Sequence, residues 1–137
     1  MSNSTPTAVL IVDDEALIRM DLVDYLQEQG FRTYEADHAV EAISVLEAHE
    51  DIRVVFTDIQ MPGDMDGVAL AHYVRERWPP TILVVCSGNR TPDESMLPIR
   101  CSFIPKPFET GALGSLLISV REQLAPSTAA VWRPEHL

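Results

Sequence analysis

Residues 8–15 read AVLIVDDE: an unbroken apolar run from Ala8 to Val12, then Asp13, Asp14 and Glu15. A run this apolar and rich in β-branched residues, with no polar alternation, reads as a strand buried on both faces of a sheet. Two further runs share its character and also end in polar residues. Arg53 to Phe56 leads into Thr57 and Asp58, and Ile82 to Cys86 leads into Ser87 and Gly88. A weaker run, Phe31 to Ala36, and a short one, Ser102 to Pro105, complete a set of five.

The segments between these runs carry helical period. From Glu15 to Gln29, Ile18, Leu22, Tyr25 and Leu26 fall on one stripe, and Gly30 stands where a helix C-cap belongs. Residues 38–49 put Ala39, Ala42, Ile43 and Leu46 on one face, and residues 67–77 offer Leu70, Ala71 and Val74 before Pro79 and Pro80. The last stripe, Leu113, Leu116, Leu117, Val120 and Leu124, is ended by Pro126. Strand alternating with helix implies crossover connections, hence a doubly wound α/β fold with a five-stranded parallel sheet and five helices. Residues 88–101 hold Gly88, Pro92 and Pro98, so the fourth of those helices is expected to be short or distorted.

The chain has 137 residues, 46% of them hydrophobic, which suits one domain with a core. Its 21 acidic and 10 basic residues give a formal charge of −11. Such a surface repels phosphate backbones and anionic membranes, so neither DNA binding nor membrane docking is expected. No apolar run approaches the roughly 20 residues of a spanning helix. Met1 to Thr7 lacks the basic and apolar character of a signal peptide, which points to a cytoplasmic protein with a flexible N-terminus over residues 1–7. Cys86 and Cys101 fall at opposite ends of neighbouring strands and read as reduced structural thiols. Residues 125–137, with Pro126, Pro134 and an isolated Trp132, read as a C-terminal extension with no output domain.

In an open parallel sheet the ligand site lies beyond the carboxyl ends of the strands. There the sequence puts Asp13 and Asp14, Asp58, Ser87 and Gly88, and Lys106 before Pro107. At an effective dielectric of 20, two carboxylates 4 Å apart repel by roughly 4 kcal/mol, so a cluster of three suggests a bound cation. All-oxygen ligands at an open edge suit Mg²⁺. A lysine and a hydroxyl beside it are what a phosphoryl group needs, and an aspartate next to a divalent ion can be the nucleophile. Each element also has a plainer reading. The paired aspartates could cap the following helix, Asp58 and Ser87-Gly88 could be turn residues, and Lys106 could be a solvated lysine.

Taken together, Val12-Asp13-Asp14-Glu15, Thr57-Asp58-Ile59-Gln60-Met61-Pro62, Met65-Asp66-Gly67, Ser87-Gly88 and Lys106-Pro107-Phe108 resemble the receiver domain of bacterial two-component response regulators. The resemblance covers residues 8–124 and implies a flavodoxin-like sheet of order 2-1-3-4-5. It also implies that Asp58 is the phosphoacceptor, that Asp13, Asp14, Asp58 and the Gln60 carbonyl hold Mg²⁺ (Mn²⁺ as the alternative), and that Lys106 and Ser87 contact the phosphoryl oxygens. Gly88 would leave the approach to the phosphate open, the Lys106-Pro107 bond would be cis, and Ser87 and Phe103 would form the switch. Gln60 and Asn89 match the positions that tune phosphoryl lifetime. The implied partners are a sensor histidine kinase and an unidentified downstream protein, met as a monomer or a phosphorylation-dependent dimer. In that reading the chain is a phosphoacceptor and not a turnover enzyme.

Two departures stand out. The loop from Met61 to Gly67 is one residue longer than the commonest form of the family, and the segment from Ser87 to Lys106 is shorter. Two other classes share part of the pattern. A haloacid-dehalogenase-like phosphatase would want a second aspartate where Gln60 stands, two residues after the first, and a flavodoxin-like cofactor binder would want a Gly- or Ser/Thr-rich phosphate loop after the first strand.

Overall fold

Five apolar or half-apolar runs become five parallel strands in the computed structural model of the chain, which describes residues 7–88 and 92–125. In chain order the elements are β1 (Ala8–Val12), α1 (Ala16–Glu28), β2 (Arg32–Ala36), α2 (Ala39–Ala48), β3 (Ile52–Asp58), α3 (Gly67–Arg77), β4 (Ile82–Ser87), a 3₁₀ turn (Glu94–Met96), β5 (Cys101–Pro105) and α4 (Thr110–Leu124). Most of the expected N-terminal segment, Asn89 and the extension beyond Ala125 with Trp132 lie outside the described residues. The sheet order is β2-β1-β3-β4-β5, all neighbours parallel, as the family resemblance implies.

The chain forms two compact units, Met1–Pro107 and Phe108–Leu137. The first contains the whole sheet with α1, α2 and α3; within the second, α4 buries Leu113, Leu117 and Val120 along one stripe. In the first unit, Leu10 registers with Val55, and Val55 with Leu83, so these side chains share one sheet face. They pack with Ala39, Ala42 and Leu46 of α2 and Leu70, Ala71 and Val74 of α3. The alternate residues Val9, Ile11, Val54, Phe56 and Val84 are equally buried and point to the other face, on the side of α1. This two-sided burial explains the absence of polar alternation in the three central strands. Each such side chain contributes about 1.5–3 kcal/mol relative to exposure.

Helix ends follow the sequence signals. Gly30 takes φ +97° after α1, and Asp66 caps α3 by accepting from the Ala69 N–H at 2.9 Å. Two histidines sit at the ends of α2. His38 and His49 flank α2 as its caps, and His49 stacks on Tyr34 at 4.2 Å. Both cysteines are free, at opposite ends of β4 and β5, and burial pushes their thiols up, Cys101 to about 11.

The number of helices is the one correction to the expected fold. Among the described residues there are four α-helices, and the fourth expected helix is replaced by the 3₁₀ turn. Pro92 and Pro98 bracket the turn, and each removes a backbone donor that a longer helix would need. What holds the segment is α3. His72 Nε2 lies 2.8 Å from the Met96 carbonyl oxygen. The Arg75 guanidinium donates to the carbonyls of Ile99 (3.1 Å), Arg100 (3.0 Å), Pro79 (2.5 Å) and Thr81 (2.7 Å). Arg100, at φ +58°, then turns the chain into β5.

Replacing Arg75 tests this arrangement. Arg75→Ala should lower the unfolding free energy by about 1.5–3 kcal/mol in urea titration, the range for hydrogen bonds to a charged donor. Amide exchange in residues 92–101 should rise with it. Arg75→Lys should recover only part of both, because an ammonium lacks the fork that serves several carbonyls at once. Unchanged exchange in Arg75→Ala would show that the segment does not depend on this side chain.

Candidate functional site

The strand ends bring the candidate residues to one edge. After β1, the Asp13 N–H donates to the Ala36 carbonyl at 3.1 Å and Asp13 Oδ1 accepts from the Glu15 N–H at 2.9 Å. Arg19 on α1 reaches back to the Asp13 carbonyl at 2.6 Å and pairs with Glu35 at 2.9 Å, which fixes the turn. After β3, the Ile59 N–H donates to the Cys86 carbonyl and the Gly67 N–H to the Ile59 carbonyl, at 2.9 and 2.8 Å. After β4 and β5, the Lys106 N–H donates to the Ser87 carbonyl at 2.9 Å, and the Lys106-Pro107 bond is cis.

The resulting open cleft, of about 690 Å³, is lined by Asp14, Glu15, Ile18, Asp58, Gln60, Met61, Pro62, Gly88, Lys106 and Pro107. Carboxylate oxygens of Asp13, Asp14 and Asp58 lie within 4.8 Å of one another. Asp13 and Asp58 are only 4% and 7% exposed, whereas Asp14 faces solvent. The Lys106 side chain is 6% exposed, and its Nζ stands 2.9 Å from Asp13 Oδ2, 3.0 Å from Glu15 Oε1 and 3.3 Å from Asp58 Oδ2.

These neighbours set the ionisation. Burial pushes the Asp58 carboxyl above its ordinary pKa and the Asp13 charge adds to the rise, against the opposing pull of Lys106 and a hydrogen bond from the Gln60 N–H. Burial works against the Lys106 ammonium, but its hydrogen bonds to Asp13 and Glu15 and the charges of Asp13 and Asp58 outweigh it, holding its pKa above the ordinary lysine value. Lys106 is therefore charged at neutral pH.

Asp13, Asp14, Asp58, Gln60, Gly88 and Lys106 thus converge at one edge, with Ser87 buried beside them. The plainer reading of Asp13 and Asp14 as helix caps holds in part: the N-cap of α1 is Glu15, and Asp13 Oδ1 accepts from the Glu15 N–H. Phe103 registers with Val85 and packs partly buried against the α2/α3 face. Because Ser87 is two residues beyond Val85, it and Phe103 share that face. Gly88 takes an ordinary backbone conformation, and a Cβ there would meet Lys106 Cβ at 3.7 Å, an ordinary contact.

The sequence reading assigned no role to Glu15, Arg19 or Gly67. An acid following the aspartate pair and an arginine one turn into the helix were visible only as helix-start residues. The glycine is the closest approach in the site: a Cβ on Gly67 would lie 1.8 Å from the Asp58 carbonyl oxygen. Among the described residues, the other cluster of metal-type ligands, Asp37, His38 and Glu41, is accounted for by capping at the start of α2.

Comparison with known proteins agrees with the geometry. The sequence profile of the response regulator receiver domain matches residues 9–117. A response regulator of Rickettsia bellii described as NtrX-like is 32% identical over 113 residues, spanning 80% of this chain and 23% of that protein. Sensor kinase CckA of Brucella abortus is 34% identical over 129 residues, spanning 88% of this chain and 13% of that protein. The chain therefore matches about a quarter or less of these relatives' length. A response regulator receiver protein from Sinorhizobium medicae superposes with a TM-score of 0.78 at 27% identity, covering 88% of this chain and 96% of that one.

Three substitutions test the site. Gly67→Ala must displace the backbone at Asp58, so it should destabilise by about 1–3 kcal/mol or more, as overpacking does. Gly88→Ala should stay within about 0.5 kcal/mol. Equal losses in urea unfolding would contradict the close approach at Gly67. For Asp58, a carboxyl whose folded pKa is raised favours folding while protonated, and that advantage is lost as pH rises through the folded pKa. In metal-free buffer Asp58→Asn should therefore melt higher than the parent at pH 7, and the gain should shrink as pH falls through the carboxylate range. A gain that grew on acidification would reverse the sign of the argument.

Proposed function

The chain belongs to the response regulator receiver domain family, and on that premise we propose that it is a phosphorylation-controlled switch whose phosphoacceptor is Asp58. The observation that supports this most directly is the buried Asp58 carboxylate beside the Lys106 ammonium at 3.3 Å, in an open cleft that also holds Asp13 and Asp14. The proposed donor is a phosphohistidine of a sensor kinase. An Asp58 carboxylate oxygen attacks phosphorus, the oxygen–phosphorus bond forms as the phosphorus–nitrogen bond breaks, and the imidazole nitrogen keeps the bonding pair. Asp58 ends as a mixed anhydride.

The donor set is all oxygen and sits at an open edge, which fits a hard divalent cation. Asp13, Asp14, Asp58 and the Gln60 carbonyl would hold Mg²⁺ or Mn²⁺, which when bound neutralises charge on the transferred group. Lys106 supplies the fixed positive charge that a phosphoryl oxygen meets. Its anchor to Asp13 keeps the ammonium at this edge, and the Gln60 N–H orients the Asp58 carboxylate. The Ser87 hydroxyl is the donor to a phosphoryl oxygen, and Phe103, on the same sheet face, repacks when Ser87 moves. The readout is a changed protein surface or onward phosphotransfer. A kinase partner is supported by the similar stretch in the Brucella abortus sensor kinase.

Incubation with phosphoramidate or acetyl phosphate and Mg²⁺ should give one acyl phosphate, labile to hydroxylamine and absent when the metal is chelated. Asp58→Asn should abolish it. Phosphorylation of Asp58→Asn to the parent level would overturn the assignment of the acceptor. Rapid release of inorganic phosphate without accumulation would favour a phosphatase.

A further inference from the structure

The Lys106 ammonium has three N–H donors, and three carboxylates surround them: Asp13 at 2.9 Å, Glu15 at 3.0 Å and Asp58 at 3.3 Å. A phosphoryl oxygen that approaches while Asp58 is still a free carboxylate is a fourth acceptor, so one of the three must give way. Asp13 is buried and held twice, by Lys106 on one oxygen and by the Glu15 N–H on the other. Asp58 is the carboxylate being modified. Glu15 is the remaining partner, and it differs from both: its side chain is 58% exposed. As the N-cap of α1 it makes no side-chain cap bond; its carboxylate goes to Lys106 instead.

We propose that Glu15 is a positioning residue that restrains Lys106 in the unphosphorylated protein, and that phosphoryl transfer to Asp58 proceeds as Lys106 exchanges Glu15 for a phosphoryl oxygen. This rests on the receiver reading above and adds to it a residue that sets how readily the site is phosphorylated. The backbone places Glu15 for this work, since the turn from Asp13 to Glu15 is closed by the Asp13 carboxylate and locked by Arg19 on the Asp13 carbonyl. No covalent change occurs at Glu15. Its hydrogen bond to the ammonium is lost, and water at the exposed carboxylate replaces it.

The test is a cycle of four full-length proteins: parent, Glu15→Ala, Lys106→Met and the double variant, with Lys106→Gln as the background should Lys106→Met not fold. The initial rate of acyl phosphate formation from phosphoramidate at saturating Mg²⁺ should rise about two- to fivefold in Glu15→Ala, the range for releasing a partly exposed ion pair. Glu15→Gln should fall between. Without Lys106 the Glu15 substitution should change nothing, because the residue acts through the ammonium. An equal acceleration in the Lys106 background would show that Glu15 merely repels an anionic donor, and no acceleration with Lys106 present would show no restraint; either overturns the proposal.

Urea unfolding of the same four proteins in metal-free buffer should show a favourable coupling between positions 15 and 106. Zero coupling refutes the restraint whether or not any protein is phosphorylated. Coupling intact with no acyl phosphate in the parent overturns the receiver reading, and the role of Glu15 with it.

Discussion

Two buried aspartates can share one edge of this sheet because a single ammonium lies between them. Lys106 stands within 3.3 Å of both Asp13 and Asp58, and its own side chain is as buried as theirs. Removing the ammonium would leave two buried carboxylates uncompensated in a low-dielectric setting, which is more damaging than the pair's formation is favourable. The compensation is incomplete, however. One ammonium faces three carboxylates of the first turn and β3, and burial still holds the Asp58 pKa up. The edge is therefore under electrostatic tension in the metal-free chain, and a cation or a redistribution of the lysine's contacts would relieve it.

Most of the scaffold was legible because two-sided burial leaves a direct mark on sequence. The runs at Ala8–Val12 and Ile82–Cys86 contain no polar alternation because both faces of β1 and β4 are covered. Once the strands are read, the carboxyl ends are known, and Asp13, Asp58, Ser87 and Lys106 follow as the residues at or just beyond them. The backbone turns that bind these ends together were only half legible. Gly67 appears in the sequence as one glycine in a polar loop; that the Asp58 carbonyl passes where its Cβ would stand is a tertiary fact with no local signature.

The same distinction explains the fourth helix. Pro92 and Pro98 said that little helix could form, and that held, but nothing periodic announced what would take its place. The substitute is a set of side chain to backbone contacts from α3, with Arg75 serving the carbonyls of Ile99 and Arg100 and His72 that of Met96. In the sequence both residues look like the wet face of an amphipathic helix. Contacts to carbonyls depend on where another segment's backbone runs, not on which side chains it carries, so they leave no pattern to read.

This replacement bears on how a change at Asp58 could be felt elsewhere. Ser87 and Phe103 share one sheet face, and the strands that carry them flank the segment latched to α3. A helix in that place would be held by its own ladder and could shift as a rigid body. Here residues 96–100 are held by donors of α3, so moving them would break hydrogen bonds to His72 and Arg75 and would not displace a continuous helix. Phosphorylation can bias such an element only by its differential affinity for the two arrangements. The few charge-assisted bonds of Arg75 set a scale that a new contact between Ser87 and a phosphoryl oxygen can match, since both are hydrogen bonds with one ionised partner. In the proposed switch, the latched segment would be what has to move, while the carboxylates that would drive it stay where the strand ends put them.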